Sequence, residues 1–229
     1  MPQERPMNFR NIIFDLDGTL VDSARITGQI IDAMLGDRGV AMRANRNMIR
    51  AMDAVGGEAM IAAVMGEHTS DPAADLAEFR ERHKVAATPH DLAFPGVASG
   101  LGQLARAGVA MAICSNKPQH LCDKILSDLA LSHHFTAIIG SSPDRPRKPA
   151  ADAALLALQS LGGAAGATLY CGDSLVDLAT ARAAGLAMVL VEWGYGTRDT
   201  LAHEPATPLI SDFAQLLALT AATPGTAHS

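Results

Sequence analysis

Just after its N-terminus the chain runs three apolar residues, Ile12, Ile13 and Phe14, straight into Asp15-Leu16-Asp17-Gly18-Thr19. An apolar run with no polar alternation predicts a strand buried on both faces, and its abrupt end in two acids and a glycine predicts a turn at the strand's carboxyl edge. From Ser23 to about Thr88 the apolar spacing changes to three and four. Ile26, Ile30, Met34 and Leu35 form one stripe ending at Gly36 to Gly39, and Met48, Ile49, Met52 and Val55 form another before Gly56-Gly57. Met60, Ile61 and Val64 continue the pattern, and Asp71-Pro72 opens an acidic helix through Leu76, Phe79 and His83. Such stripes predict amphipathic helices. A block this long cannot be a loop inside a compact domain, so residues 23–88 are expected to form a separate helical unit set immediately after the acidic turn.

Beyond Pro95-Gly96, strand and helix patterns alternate: a helix Gly100 to Ala107, the buried strand VAMAIC, a helix Gln119 to Leu129, a strand Phe135 to Gly140, and the polar segment SSPDRPRKPAAD. A helix with Pro149 in its first turn runs through Leu155, Leu156 and Leu158 to Gly162; ATLYC, GDSLVDLATARAAG and LAMVLVEWG then supply a strand, a helix closing at Gly185, and a fifth strand. This alternation predicts a parallel sheet covered on both faces, built from residues 1–22 and 89–229.

A length of 229 residues accommodates one sizeable α/β domain, or a core with a smaller insert. With 48% hydrophobic and 18% charged residues there is no compositional case for disorder away from the ends. A net charge of -6, four lysines and no arginine stripe argue against a nucleic-acid partner. Cys114, Cys122 and Cys171 have neither paired spacing nor an even count, which argues against a disulfide framework or zinc site and for small apolar fillers in a reducing compartment. The N-terminal MPQERPMNFRN lacks an apolar stretch of signal length and no window is long enough to span a bilayer, so a cytoplasmic protein with no membrane partner is expected. The tail TPGTAHS carries no readable pattern and is expected to be mobile. The eight histidines are scattered, none at i, i+4 beside a suitable acid, and the ten methionines suit irregular helical contacts.

Polar groups concentrate at four strand ends. Asp15 and Asp17 flank one residue, so on extended backbone they leave on the same face, and Gly18 lets the chain turn away. Two like charges that close call for a divalent metal, a shared proton, or both. Ser115, Asn116 and Lys117 follow the second strand, Lys148 follows the third, and Asp173 and Asp177 follow the fourth. In a parallel sheet these ends share one edge and can meet in one crevice. Carboxylates suit a hard cation such as Mg²⁺, while a hydroxyl and a lysine suit an anion. Asp173 and Asp177, one helical turn apart, can face the same crevice, although Asp and Ser at such a position also serve as helix caps. Trp193-Gly194-Tyr195-Gly196 either walls the crevice or packs in the ordinary way.

DLDGTLVDS, CSNKP, RKPAAD and GDSLVDLATARAAG resemble, in order, the four motifs of the haloacid dehalogenase-like hydrolase superfamily, and in particular its phosphoglycolate phosphatase-like branch. The resemblance covers nearly the whole chain and is most specific in the first and fourth motifs. It implies a Rossmann-like three-layer core with an inserted all-helical cap domain. It further implies a Mg²⁺-dependent phosphatase acting on a small phosphorylated metabolite such as 2-phosphoglycolate. In that reading Asp15 is the nucleophile that forms an aspartyl-phosphate, and Asp17 is the general acid and then the base. Mg²⁺ is held by Asp15, the Asp17 carbonyl and Asp173, with Asp177 nearby; Ser115, Asn116 and Lys148 bind the phosphoryl group. Gly56, Gly57 and Glu58 become the cap loop that approaches the substrate, with Arg46 or Arg50 a contact for an anionic one. Ser115 stands where a Thr is frequent, and Ala151 replaces the second proline of a frequent K-P-x-P. The same scaffold also accommodates a β-phosphoglucomutase-like mutase or a pyrophosphatase, and an aspartate-phosphorylated signalling module is the alternative from another class. The assembly state is expected to be monomer or homodimer.

Overall fold

The computed structural model describes residues 9–53 and 55–220, so the expectations for the extreme N-terminus and for the tail lie outside the described residues. Six parallel strands form one sheet in the order β3-β2-β1-β4-β5-β6. They are β1 (Asn11–Phe14), β2 (Ala110–Pro118), β3 (Ala137–Ser141), β4 (Thr168–Gly172), β5 (Ala187–Val191) and β6 (Leu209–Ile210). Alternate residues leave opposite faces: Ile12, Phe14, Met111, Ile113, Leu169 and Cys171 join one buried cluster, and Ile13, Ala112, Cys114 and Tyr170 another. This is why the strands read as unbroken apolar runs, since both faces are covered. The three cysteines are free and buried within these layers.

Four helices follow β1: α1 (Ala24–Asp37), α2 (Arg46–Met52), α3 (Gly57–Met65) and α4 (Pro72–Val85). Asn45 and Asp71 cap α2 and α4 by accepting two backbone N–H bonds each, and Pro72 stands at the start of α4, where its missing donor costs nothing. The two chain crossings into and out of this helical segment lie side by side. Val21 bridges Ala93 antiparallel, Asp22 N donates to Leu92 O at 2.9 Å, and Phe94 N donates to Leu20 O at 3.0 Å. The remaining helices are α5 (Val97–Arg106), α6 (Gln119–Asp128), α7 (Asp152–Ser160), α8 (Leu175–Ala183), α9 (Thr197–His203) and α10 (Phe213–Thr220).

Two features depart from the sequence reading. Pro149 lies outside α7, which begins at Asp152; residues 147–150 form a turn closed by Ala150 N on Arg147 O at 3.0 Å, and this turn points Lys148 inward. The strand β6 and the helices α9 and α10 were not anticipated. β6 has only two residues, and the seven-residue α9 (TRDTLAH) has no apolar stripe, so neither carries a periodicity to read. Among the described residues no helix is long and apolar enough to cross a membrane.

Candidate active site

The edge formed by the carboxyl ends of β1, β2 and β4 gathers the predicted groups. Asp15 N continues the β1–β4 ladder by donating to Cys171 O at 2.9 Å, so its side chain leaves from a rigid strand end. Gly18 then turns the chain at φ +80°, a conformation that favours glycine, and a Cβ there would lie 2.7 Å from Asp173 Oδ2. Asp15, Asp17, Ser115, Lys148, Asp173 and Asp177 are all buried.

Lys148 is the hub. Its Nζ donates to Asp15 Oδ1 at 2.7 Å, Asp177 Oδ1 at 2.6 Å, Cys114 O at 3.1 Å and the Tyr170 hydroxyl at 3.3 Å. Burial alone would push its pKa down, but the flanking carboxylates of Asp15 and Asp177 outweigh it and hold the ammonium well above the ordinary lysine range. Asn116 fixes the lysine's backbone from both sides: its Oδ1 accepts from Lys148 N at 2.8 Å and its Nδ2 donates to Lys148 O at 3.1 Å. The Asn116 amide thus presents the lysine. Ser115 Oγ accepts from Lys117 N at 3.2 Å.

The carboxylates divide by environment. Asp177 Oδ2 accepts from the backbone N–H groups of Asp173 and Ser174 and from Ser174 Oγ at 2.6 Å, closing a reciprocal cap with Ser174 at the start of α8. Burial opposes its ionisation, yet Lys148 and Ser174 keep Asp177 below the usual carboxylate range. Asp15 is pushed well above that range, by burial first, against the opposing pull of Lys148 and with repulsion from Asp177 and Asp173 added. Asp173 rises to about 7 through burial and the charge of Asp177, even though Gly196 N donates to its Oδ2 at 2.9 Å. Asp17 Oδ2 accepts from Lys117 Nζ at 3.0 Å, while its Oδ1 is buried with no hydrogen-bond partner among the described residues.

Asp15, Asp173 and Asp177 can each offer an oxygen within 4.8 Å of the others. Hard carboxylate donors with two members strained toward protonation fit a divalent cation, whose charge would remove that strain. Asp177 has both oxygens engaged, by Lys148 and Ser174, and so has Asp173, by Thr19 Oγ1 at 3.4 Å and Gly196 N at 2.9 Å, whereas among the described residues Asp15 accepts only at Oδ1, from Lys148.

The helical segment is tied to the core at the chain crossing beside the site. Arg50 on α2 donates to Asp22 Oδ2 at 2.9 Å, and its guanidinium lies 5.4 Å from the centre of the Tyr195 ring. The Tyr195 hydroxyl donates to Asp22 Oδ1 at 2.5 Å and accepts from Ala24 N at 3.2 Å. Trp193 Nε1 donates to Thr19 O at 3.0 Å. The Trp193-to-Gly196 stretch therefore does more than pack: it joins the chain crossing to Asp173. Gly194 has no room for a side chain, because a Cβ would fall 2.1 Å from Asp173 Cβ. Gly194→Ala is expected to cost about 1–3 kcal/mol by overpacking and to displace Asp173. A urea midpoint and a Mg²⁺ titration check both halves, and unchanged metal affinity would contradict the second.

Arg46 is turned to the helical segment itself, donating to Arg25 O at 2.6 Å and pairing with Asp32. Glu58 is exposed, and Gly56 and Gly57 pass into α3 at φ +59° and +61°. Sequence reasoning missed Asp53 and His83. Asp53, following α2, is pushed to about 8 by burial and then by the charge of Asp17, with Lys117 opposing. His83 on α4 is pushed to about 4 by burial and then by Lys117. Neither stands in a motif; only their tertiary neighbours single them out.

A family model described as haloacid dehalogenase-like hydrolase matches residues 12–191. The chain belongs to this family. Among similar relatives of the haloacid dehalogenase-like hydrolases is a phosphoglycolate phosphatase of Xanthomonas campestris pv. campestris, 34% identical over 192 residues, covering 83% of this chain and 86% of the relative. An N-acetylmuramic acid 6-phosphate phosphatase of Pseudomonas putida is 30% identical over 194 residues, covering 82% and 85%. The solved structure of a predicted phosphoglycolate phosphatase from Haemophilus somnus superposes with a TM-score of 0.78 at 24% identity, covering 93% of this chain and 98% of the other. At that identity the superposition speaks for the fold, and the fold it shares is the family's.

Proposed function

We propose that this hydrolase is a Mg²⁺-dependent phosphatase that cleaves small phosphomonoesters of the 2-phosphoglycolate kind through an aspartyl-phosphate, with residues 23–88 acting as its cap. The observation that carries this reading is the buried Lys148 ammonium bonded at once to Asp15 and Asp177, with Asp173 beside them and Asp17 carrying an unpartnered buried oxygen. The relatives named above, both phosphatases, support it.

An oxygen of Asp15 attacks phosphorus as the ester P–O bond breaks, and Asp17 delivers a proton to the departing oxygen. Asp17 next takes a proton from water, which attacks phosphorus, so that inorganic phosphate leaves and Asp15 is regenerated. Lys117, bonded to Asp17 Oδ2 at 3.0 Å, orients this carboxyl group for both steps. Lys148 and the Ser115 hydroxyl stabilise the charge of the transferring phosphoryl group, and Lys148 holds Asp15 in line. Asp15, the Asp17 carbonyl and Asp173, with Asp177 adjacent, would hold Mg²⁺, which when bound offsets carboxylate and phosphoryl charge.

The test is release of inorganic phosphate from a panel of small esters with Mg²⁺ and with chelator. Turnover only with metal is expected; an isomeric sugar phosphate in place of free phosphate would identify a mutase instead, and no turnover of any ester would remove the phosphatase reading. Metal affinity carries a pH signature. Because the folded protein holds Asp173 near 7, above its unfolded range, metal-free protein retains this proton below pH 7 and loses stability as pH rises toward that value. A cation must displace that proton, so Mg²⁺ affinity is expected to fall as pH drops below about 7.

A further inference from the structure

One hydroxyl beside Lys148 has no part in the reaction as written. Tyr170 on β4 is fully buried, stands opposite Ile13 of β1 in the ladder, and belongs to the buried cluster of Ile13, Ala112 and Cys114. Its ring packs there as an apolar residue would. Its hydroxyl, however, lies 3.3 Å from each of Lys148 Nζ, Cys114 O and Asp177 Oδ1.

An ammonium has three N–H groups and accepts nothing, yet four oxygens surround Lys148 Nζ. The three nearer ones, Asp177 Oδ1 at 2.6 Å, Asp15 Oδ1 at 2.7 Å and Cys114 O at 3.1 Å, account for every hydrogen it has. The resting ammonium is therefore saturated without Tyr170, and it cannot bind a phosphoryl oxygen until it gives up one of these acceptors. The two carboxylates hold it by charge as well as by hydrogen bonds, so the neutral Cys114 carbonyl is the one released most readily. Cys114 is fully buried, and a buried carbonyl that loses its donor is unfavourable. A tyrosine hydroxyl both donates and accepts, and this one already stands within reach of that carbonyl.

Resting on the phosphatase reading, we propose that Tyr170 is a positioning residue whose hydroxyl takes over the Cys114 carbonyl and so frees one N–H of Lys148 for the transferring phosphoryl group. Lys148 keeps its bonds to Asp15 and Asp177 through the exchange, and no buried acceptor is left without a donor. The hydroxyl is thus dispensable in the resting protein and needed once a phosphoryl group is bound. A role in packing alone would show the reverse.

Tyr170→Phe removes the hydroxyl and keeps the ring, and inorganic phosphate serves as the probe. With Mg²⁺ present, calorimetry is expected to show phosphate affinity falling about 10- to 100-fold, as for a buried acceptor left without its donor, and kcat/KM for ester hydrolysis falls by a similar factor. The melting temperature and the Mg²⁺ affinity measured without phosphate are expected to be unchanged, because the resting ammonium already serves its three acceptors. On a Lys148→Met background, read at saturating Mg²⁺, Tyr170→Phe is expected to cost no further phosphate affinity, since no ammonium remains to release the carbonyl. Unchanged phosphate affinity in Tyr170→Phe overturns the assignment, as does a lower melting temperature with phosphate affinity intact, which places the hydroxyl in packing. A further loss of the same size on Lys148→Met also overturns it. Phosphate binding is read without turnover, so a loss of affinity in Tyr170→Phe supports the assignment even if no ester is hydrolysed. If esters are hydrolysed and Tyr170→Phe equals wild type in both phosphate affinity and kcat/KM, the Tyr170 assignment falls and the phosphatase reading stands.

Discussion

With Asp15 as the proposed nucleophile, Asp15→Asn is expected to abolish phosphate release, lowering kcat by about 10⁴-fold or more, because a neutral amide oxygen cannot form and release an acyl phosphate. The fold should survive. Asn has the same shape, its Oδ1 can still accept from Lys148, and Lys148 retains Asp177 at 2.6 Å as its counter-ion. Burial and the charges of Asp177 and Asp173 hold Asp15 well above the usual carboxylate range, so losing its charge relieves strain in the metal-free protein. The melting temperature without metal should therefore be unchanged or higher, while Mg²⁺ binding weakens. Phosphate release in single turnover, set beside thermal melts with and without Mg²⁺, measures the two consequences separately. A variant retaining a tenth of wild-type activity would show that another group attacks phosphorus.

Lys148→Met should damage both stability and catalysis. Removing one partner of a buried ion pair leaves an uncompensated charge and typically costs about 3–5 kcal/mol. Here two carboxylates lose their cation at once, and Asp177 also caps α8. The sign of the pH dependence follows from the charges left behind. Without the ammonium, Asp15 and Asp177 bind protons in the folded state at pH values where the unfolded chain has released them. The deficit is thus greatest near neutral pH and shrinks as pH falls into the carboxylate range. Mg²⁺ should restore part of the lost stability, by replacing one cation with another. Activity should fall about 10²- to 10³-fold, as for loss of one preorganised donor to a phosphoryl group. Urea unfolding at several pH values, repeated with Mg²⁺, checks the pattern, and a deficit independent of pH would place the cost in packing instead.

These two residues also show how much could be read from the chain alone. Asp15 was legible because an apolar strand ends on it and a second acid follows after one residue. Asp173 was legible because it follows another such strand, the fourth along the chain. Lys148 was legible as a site residue through its motif, but its embrace of Asp177 was not, since 29 residues separate them and no local pattern encodes a contact that the sheet creates. Lys117 reads only as a polar residue after the second strand; 100 residues from Asp17, it becomes that acid's partner only once β1 and β2 lie side by side. Tyr170 reads as one more apolar strand residue, and only its hydroxyl on Lys148 and Asp177 sets it apart. The expectation for Gly56, Gly57 and Glu58 rested on motif position; Asp53 and His83, shifted by burial and then by charges of the sheet edge, stand in no motif and could not be read from the chain.

The sequence by itself determined the parallel α/β architecture, the helical segment after β1 and the strand ends that carry the acids and lysines, because each is written in hydrophobic periodicity and in residues adjacent along the chain. The tertiary structure alone decided which carboxylate is paired and which is strained, which lysine answers which acid, and where the helical segment is tied to the core. Those follow from burial and from distances between residues far apart in sequence, and electrostatic energies in a buried site depend on such distances rather than on residue type.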